Sequence, residues 1–186
     1  MRSLLLLSAL VTLSILAIPA GAHAQDWREC AGFGGRAPSG GLSFGPRLVA
    51  QAADDEGVDA QLGGQLHALI GVLPALQLDL GLGFAQWGEE QDAIHDVPIL
   101  IGFRLHPNPY DRVRVFVSAS GGLTAWWTGR GDDAAWLTAD AGLGVQAHVV
   151  GPLFFEIAVH GQVRHRVDHD VTRWAIDSTA GFAVLM

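Results

Sequence analysis

His165, Asp168, His169 and Asp170 place four groups able to ligate a divalent cation within six residues of chain. Such a cation takes ligands in fixed geometry, normally from more than one element. The spacing alone therefore marks a charged, solvated loop before it marks a metal site, and no cofactor is expected. Nucleophilic chemistry would need a serine oriented by a histidine within hydrogen-bond reach, and the chain contains no His-x-Ser arrangement. His67, His148 and His160 run in phase with Asp79, Asp140 and Glu156 in the local alternation, which is the setting of a hydrogen-bonded interior histidine. Arg130-Gly131-Asp132 spells an adhesion tripeptide, but glycine and aspartate are common in loops and coincidence accounts for it. What any of these groups can do depends on the elements that carry them.

The 186-residue chain fits one domain, with 49% hydrophobic and 16% charged residues. Arg2, the apolar run Leu4 to Ile18 and the small residues Ala22 and Ala24 read as a secretory signal peptide over 1–24, cleaved before Gln25. Residues 25–40 are glycine-rich and non-alternating, and are expected to form a flexible periplasmic leader. All eleven basic residues are arginine; without Arg2, ten face nineteen acids, a net charge of −9. An acid excess of that size lacks the basic footprint that nucleic acid requires. Cys30 is a lone cysteine and cannot close an internal disulfide.

No later stretch reaches the roughly eighteen apolar residues of a membrane-spanning helix. A two-residue alternation recurs instead, plainest in Leu76-Gln77-Leu78-Asp79-Leu80-Gly81-Leu82-Gly83-Phe84, and only a strand puts such a set on one face. The same period marks strands around 42–51, 58–69, 97–105, 113–119, 137–149, 155–163 and 174–186, eight in all. Gly71–Pro74, Pro107–Asp111 and Val150–Pro152 read as tight turns. Ala52–Gly57, Gly88–Ala93, Thr128–Ala134 and Arg166–Asp170 read as longer charged loops. Eight antiparallel strands with short turns at one end and longer loops at the other predict an up-and-down transmembrane β-barrel over 41–186, both termini periplasmic and the long loops outside.

A soluble lipocalin-like barrel would alternate as well, with its apolar side chains inward. The polar face decides between them. It is built from Gly63, Gln65, Gly81, Gly83, Gly102, Ser118, Ser120, Gly142, Gly144, Gln146, Gln162 and Thr179, small and uncharged, which suits a cramped lumen rather than a watery exterior. Its charges are Arg47, Arg104, Arg114 and Arg164 against Asp79, Asp140, Glu156 and Asp177, a balanced set that a packed interior needs. Barrel closure sets Arg47 beside Asp177. Arg104 and Arg114 flank the Pro107–Asp111 turn and are expected side by side, with Asp79 as the nearest acid. Trp87, Trp126, Trp127, Trp136 and Trp174 fall at strand ends next to the loops, where an aromatic girdle meets the interface. Pro46 interrupts the first strand on its outward face.

From Leu42 to Met186 the chain resembles the OmpA/OmpX-like small outer-membrane barrels. The resemblance extends to the end of the chain, where Thr179, Gly181, Val184 and Met186 follow the spacing of the terminal signal those barrels offer their insertion machinery. Met186 stands where the family usually has phenylalanine. The resemblance implies an outer-membrane protein with lipid and the insertion machinery as partners, and extracellular ligands reaching it through its acidic loops. Some barrels of this kind modify lipid A. Here the lipid face offers only Ser178 within a strand, with His95 and His165 near the loops, so a structural or surface-interaction role with a filled lumen is expected. A lipid A-modifying enzyme and a lipocalin-like small-molecule binder are the alternatives.

Overall fold

The computed structural model describes residues 40–53, 57–87, 93–166 and 168–186. The expected signal peptide, most of the leader and Cys30 lie outside the described residues. Eight strands follow in order: β1 (Gly40–Ala53), β2 (Gly57–Leu73), β3 (Leu76–Trp87), β4 (Ile94–Leu105), β5 (Val113–Thr128), β6 (Asp133–Val150), β7 (Leu153–Arg166) and β8 (Val171–Leu185). Each pairs antiparallel with the next, and β8 returns to β1, so the sheet is a closed barrel without free edges. Gly40 and Met186 exchange backbone hydrogen bonds of 3.2 and 2.9 Å, which sets both ends of the barrel domain at one rim.

That rim also carries the connections 74–75, 106–112 and 151–152, and we call it the turn end; the opposite rim is the loop end. The expected contrast between short turns and long loops is weaker than the sequence suggested. Residues 106–112 make a seven-residue connection at the turn end, while β5 to β6 and β7 to β8 are joined by only 129–132 and 167–170. The connection 88–93 keeps its expected bounds, while the ends of the other expected loops (Ala52, Ala53, Gly57, Thr128, Asp133, Ala134 and Arg166) are absorbed into strands, which run to 12 to 18 residues. About 9–11 residues suffice for a tilted strand to cross a bilayer, so the strands run on past the apolar zone. Gly131 (φ +91°) and Gly151 (φ +53°) supply the left-handed turns that close two hairpins.

The alternation resolves into two faces of opposite character. Outward positions carry the large apolar side chains, with Leu62 68%, Ile99 60% and Ile176 59% exposed, while inward Arg104 and Arg114 are 1% exposed. A soluble domain would reverse this, and the lipocalin-like reading falls with it: apolar wall outside, polar core inside is the polarity of a barrel in lipid. The inward glycines are sockets. A β-carbon at Gly144 would overlap the Phe116 ring, and one at Gly142 the His160 ring. Gly144→Ala should therefore lower stability by about 1–3 kcal/mol through overpacking, read from urea unfolding in micelles; an unchanged midpoint would show that Phe116 does not use that space.

Candidate functional site

Inward parity gathers the charged side chains into a column along the barrel axis. Nearest the loop end, Arg164 Nη1 donates to Asp96 Oδ2 at 2.6 Å, and its Nε and Nη2 donate to Gln162 Oε1 at 3.2 and 3.0 Å. Gln162 Nε2 in turn donates to Asp177 Oδ2 at 3.1 Å, the same oxygen that receives Arg47 Nε at 2.6 Å. Arg47 and Asp177 are not directly opposed across the closing seam. Asp177 faces Val49 and Arg47 faces Thr179, so the pair spans a two-residue diagonal. Asp96, fully buried, was absent from the sequence-derived set; among the described residues it raises the buried luminal acids to five against four arginines.

Lower down, His67 Nδ1 lies 2.7 Å from Asp79 Oδ1, Ser120 Oγ donates to Asp140 Oδ1 at 2.7 Å, and Ser118 Oγ is 3.5 Å from His160 Nε2. Arg104 then bridges two acids, donating from Nη2 to Asp79 at 3.1 Å and from Nη1 to Glu156 Oε2 at 2.7 Å. Gln146 Nε2 donates to the same Glu156 oxygen, Ser43 Oγ reaches Oε1 at 3.4 Å, and Gln146 Oε1 accepts from Arg114 Nη2 at 2.8 Å. The guanidinium carbons of Arg104 and Arg114 each sit 4.2 Å above a ring, Phe116 and Phe154, so both cations are held by π faces as well as by hydrogen bonds. Leu69, Phe154, Ala183 and Leu185 close the column at the turn end with an apolar layer.

Two sequence expectations need correction. Arg104 and Arg114 are not side by side, because Arg104 pairs with Ser118 across β4 and β5. Asn108 is the reason: its Nδ2 donates to Val113 O and its Oδ1 accepts from Val115 N, both at 2.9 Å, which folds the 106–112 connection asymmetrically. Trp136 is not part of a girdle. It shares inward parity with Thr138 and Asp140, is buried, and has Arg173 5.4 Å from its ring. Trp126, opposite Ala134, has the same inward phase as Thr124. Trp127 and Trp174 do face outward, and the side chain of Trp87 lies outside those described. The outer wall also carries aromatic groups that the tryptophan pattern missed. Phe84, His95 and Trp127 stack across β3, β4 and β5 toward the loop end, at ring separations of 6.0 and 5.3 Å. Phe44, Phe182 and Phe155 form a second group toward the turn end, at 6.4 and 5.7 Å.

Thr179 and Gly181 point inward on β8, while Val184 lies on its outward face and Met186 ends the chain exposed. The residues His165, Asp168, His169 and Asp170 do not converge on a common point. His165 Nδ1 is 3.1 Å from Thr172 Oγ1, Arg166 holds Asp168 through two bonds of 2.8 and 2.9 Å, and His169 Nε2 is 3.5 Å from Asp168. Among the described residues no group of three or more such ligands could hold a metal ion. The Arg166 hydrogen bonds keep the exposed Asp168 carboxyl below the usual carboxylate range. Its contact with Arg166 is thus present above that range and lost as pH falls through the lowered value. In an NMR titration the Asp168 carboxyl should move to higher pH in Arg166→Gln; an unmoved titration would mean the pair does not persist in solution.

No protein-family model and no curated protein matches the sequence. Solved structures do match in shape. Neisserial surface protein A superposes with a TM-score of 0.65 at 12% identity, covering 78% of this chain and 97% of that one. Ail, the attachment invasion locus protein of Yersinia pestis, gives 0.52 at 15% identity, over 80% and 99% of the two chains. The outer membrane protein OprG from Pseudomonas aeruginosa gives 0.51 at 11%, over 82% and 98%. At these identities the likeness is one of fold, and the chain has the fold of the small eight-stranded outer-membrane barrels.

Proposed function

We propose that this chain is an outer-membrane barrel with a plugged lumen, serving envelope structure or surface recognition, its turn end with both termini in the periplasm and its loop end outside. The observation that carries this reading is the inverted polarity: an apolar wall outside and an ion-paired, ring-sealed column inside. Such a wall needs an apolar surrounding, which supports outer-membrane lipid and the insertion machinery as its partners. Surface recognition is supported by the exposed acids Asp132, Asp133, Asp168 and Asp170, which stand at the loop end beyond the apolar wall. The acid excess of the chain favours cationic ligands there.

The enzymatic alternative has less support. Among the described residues, the serine and histidine that approach each other, Ser118 and His160, do so inside the lumen, where His160 is buried and out of reach of a lipid headgroup. Purified protein in proteoliposomes should leave trapped small sugars as well retained as in empty vesicles, and deleting the gene should leave the lipid A mass profile unchanged. Sugar release would contradict the plugged lumen, and loss or gain of a lipid A substituent would favour the enzyme.

A further inference from the structure

The luminal column has an upper half, from Asp96 through Arg164, Gln162 and Asp177 to Arg47, and a lower half, from His67 through Asp79, Arg104 and Glu156 to Arg114. Where the halves meet, the barrel encloses a two-lobed chamber. One lobe is lined by Asp79, Ser118 and Ser120, the other by Arg47, Gln65 and Asp177, and both by His67, Asp140 and His160. Each lobe measures about 20 Å³, enough for one water and too little for any organic ligand. Arg47 Nη2 and Asp177 Oδ1, on side chains only 2% exposed, have no hydrogen-bond partner among the described groups.

We propose that each lobe is a binding site for one ordered water. In the Arg47 lobe the guest accepts from Nη2 and donates to Asp177 Oδ1; in the serine lobe it donates to Asp140 and bridges toward His160 and His67. A buried water makes two to four such bonds, and both lobes offer that number of polar neighbours. Five acids against four arginines would also invite a monovalent cation. The guanidinium of Arg47 in one lobe argues against it, and so does the absence, among the described residues, of any three-ligand metal group. Two fixed waters do not make a conducting file, because buried side chains, Gln162 and Arg164 above and Arg104, Arg114 and Phe116 below, fill the lumen on either side.

The test uses the refolded protein in micelles and nuclear Overhauser transfer from water to carbon-bound protons lining the lobes: Cδ2–H of His160, and Cα–H of Gly81 and Gly83. Wild type should show transfer from long-lived water at all three. Gly81→Ala puts a methyl group into the chamber 3.2 Å from the His67 ring, and should abolish the signals while the barrel remains folded. Ser118→Ala is the milder variant. It should weaken the His160 signal and leave that of Gly83. Absence of transfer in the wild type would overturn the proposal. So would a stability or chemical-shift change at these positions when sodium is exchanged for N-methylglucamine, since that would assign the chamber to a cation.

Discussion

Arg104→Ala should destabilise the barrel by about 3–5 kcal/mol, the cost of breaking a buried ion pair by removing one partner. Arg104 is 1% exposed and is the guanidinium that Asp79 and Glu156 share. Without it two buried carboxylates remain, Asp79 with His67 and Glu156 with Gln146 and Ser43. The stacking over Phe116 is lost at the same time. Arg104→Lys separates charge from geometry: one ammonium keeps the charge but cannot present two donors in a rigid fork to two acids. Its loss should fall between wild type and alanine. Urea unfolding and refolding in detergent micelles reads both, and an Arg104→Ala change below about 1 kcal/mol would mean that the acids are solvated rather than held in the lumen.

Asp177→Ala should cost about 2–4 kcal/mol, because it leaves Arg47 buried without its acid at the seam that closes the sheet. The double replacement Arg47→Ala with Asp177→Ala should cost less than the sum of the single ones, since most of the penalty belongs to the orphaned charge. Additive effects would mean that the two groups do not meet. The seam has a second feature that bears on this comparison. Pro46 has no N–H to offer, and the paired register between β1 and β8 passes over it, running from Phe44 with Phe182 to Arg47 with Thr179. The Arg47–Asp177 pair lies immediately beside this gap, where a side-chain contact can hold strands that the backbone ladder holds less well.

Period two was enough to place all eight strands, because each has one face in contact with lipid and a one-residue slip would turn that face inward. The identity of the polar face was legible for a steric reason: glycines such as Gly142 and Gly144 are needed where His160 and Phe116 lie flat against the wall. Parity also contained the correct place of Trp136, which shares its phase with Thr138 and Asp140. Proximity to a loop was the misleading cue there. Asp96 shares the phase of Gly102 and Arg104, so the same alternation puts it inward, although its place two residues before Pro98 and close to the acids of the preceding connection gives it the look of a loop residue. Other features were not legible. The offset of Arg104 from Arg114 depends on two side-chain bonds from Asn108, which alternation does not report. Loop lengths misled because a long β-strand continues its ladder beyond the membrane, through residues whose composition is that of a loop.

The central claim is that this chain lives in the outer membrane as a closed barrel with its apolar face to lipid. Electrophoresis of purified outer membranes, with and without boiling in detergent, tests it most directly. A closed barrel keeps its hydrogen-bond ladder in detergent until heated, so the account predicts that the unboiled protein migrates as a compact band and shifts on boiling. A single heat-independent band, with the protein recovered in the soluble fraction, would contradict it.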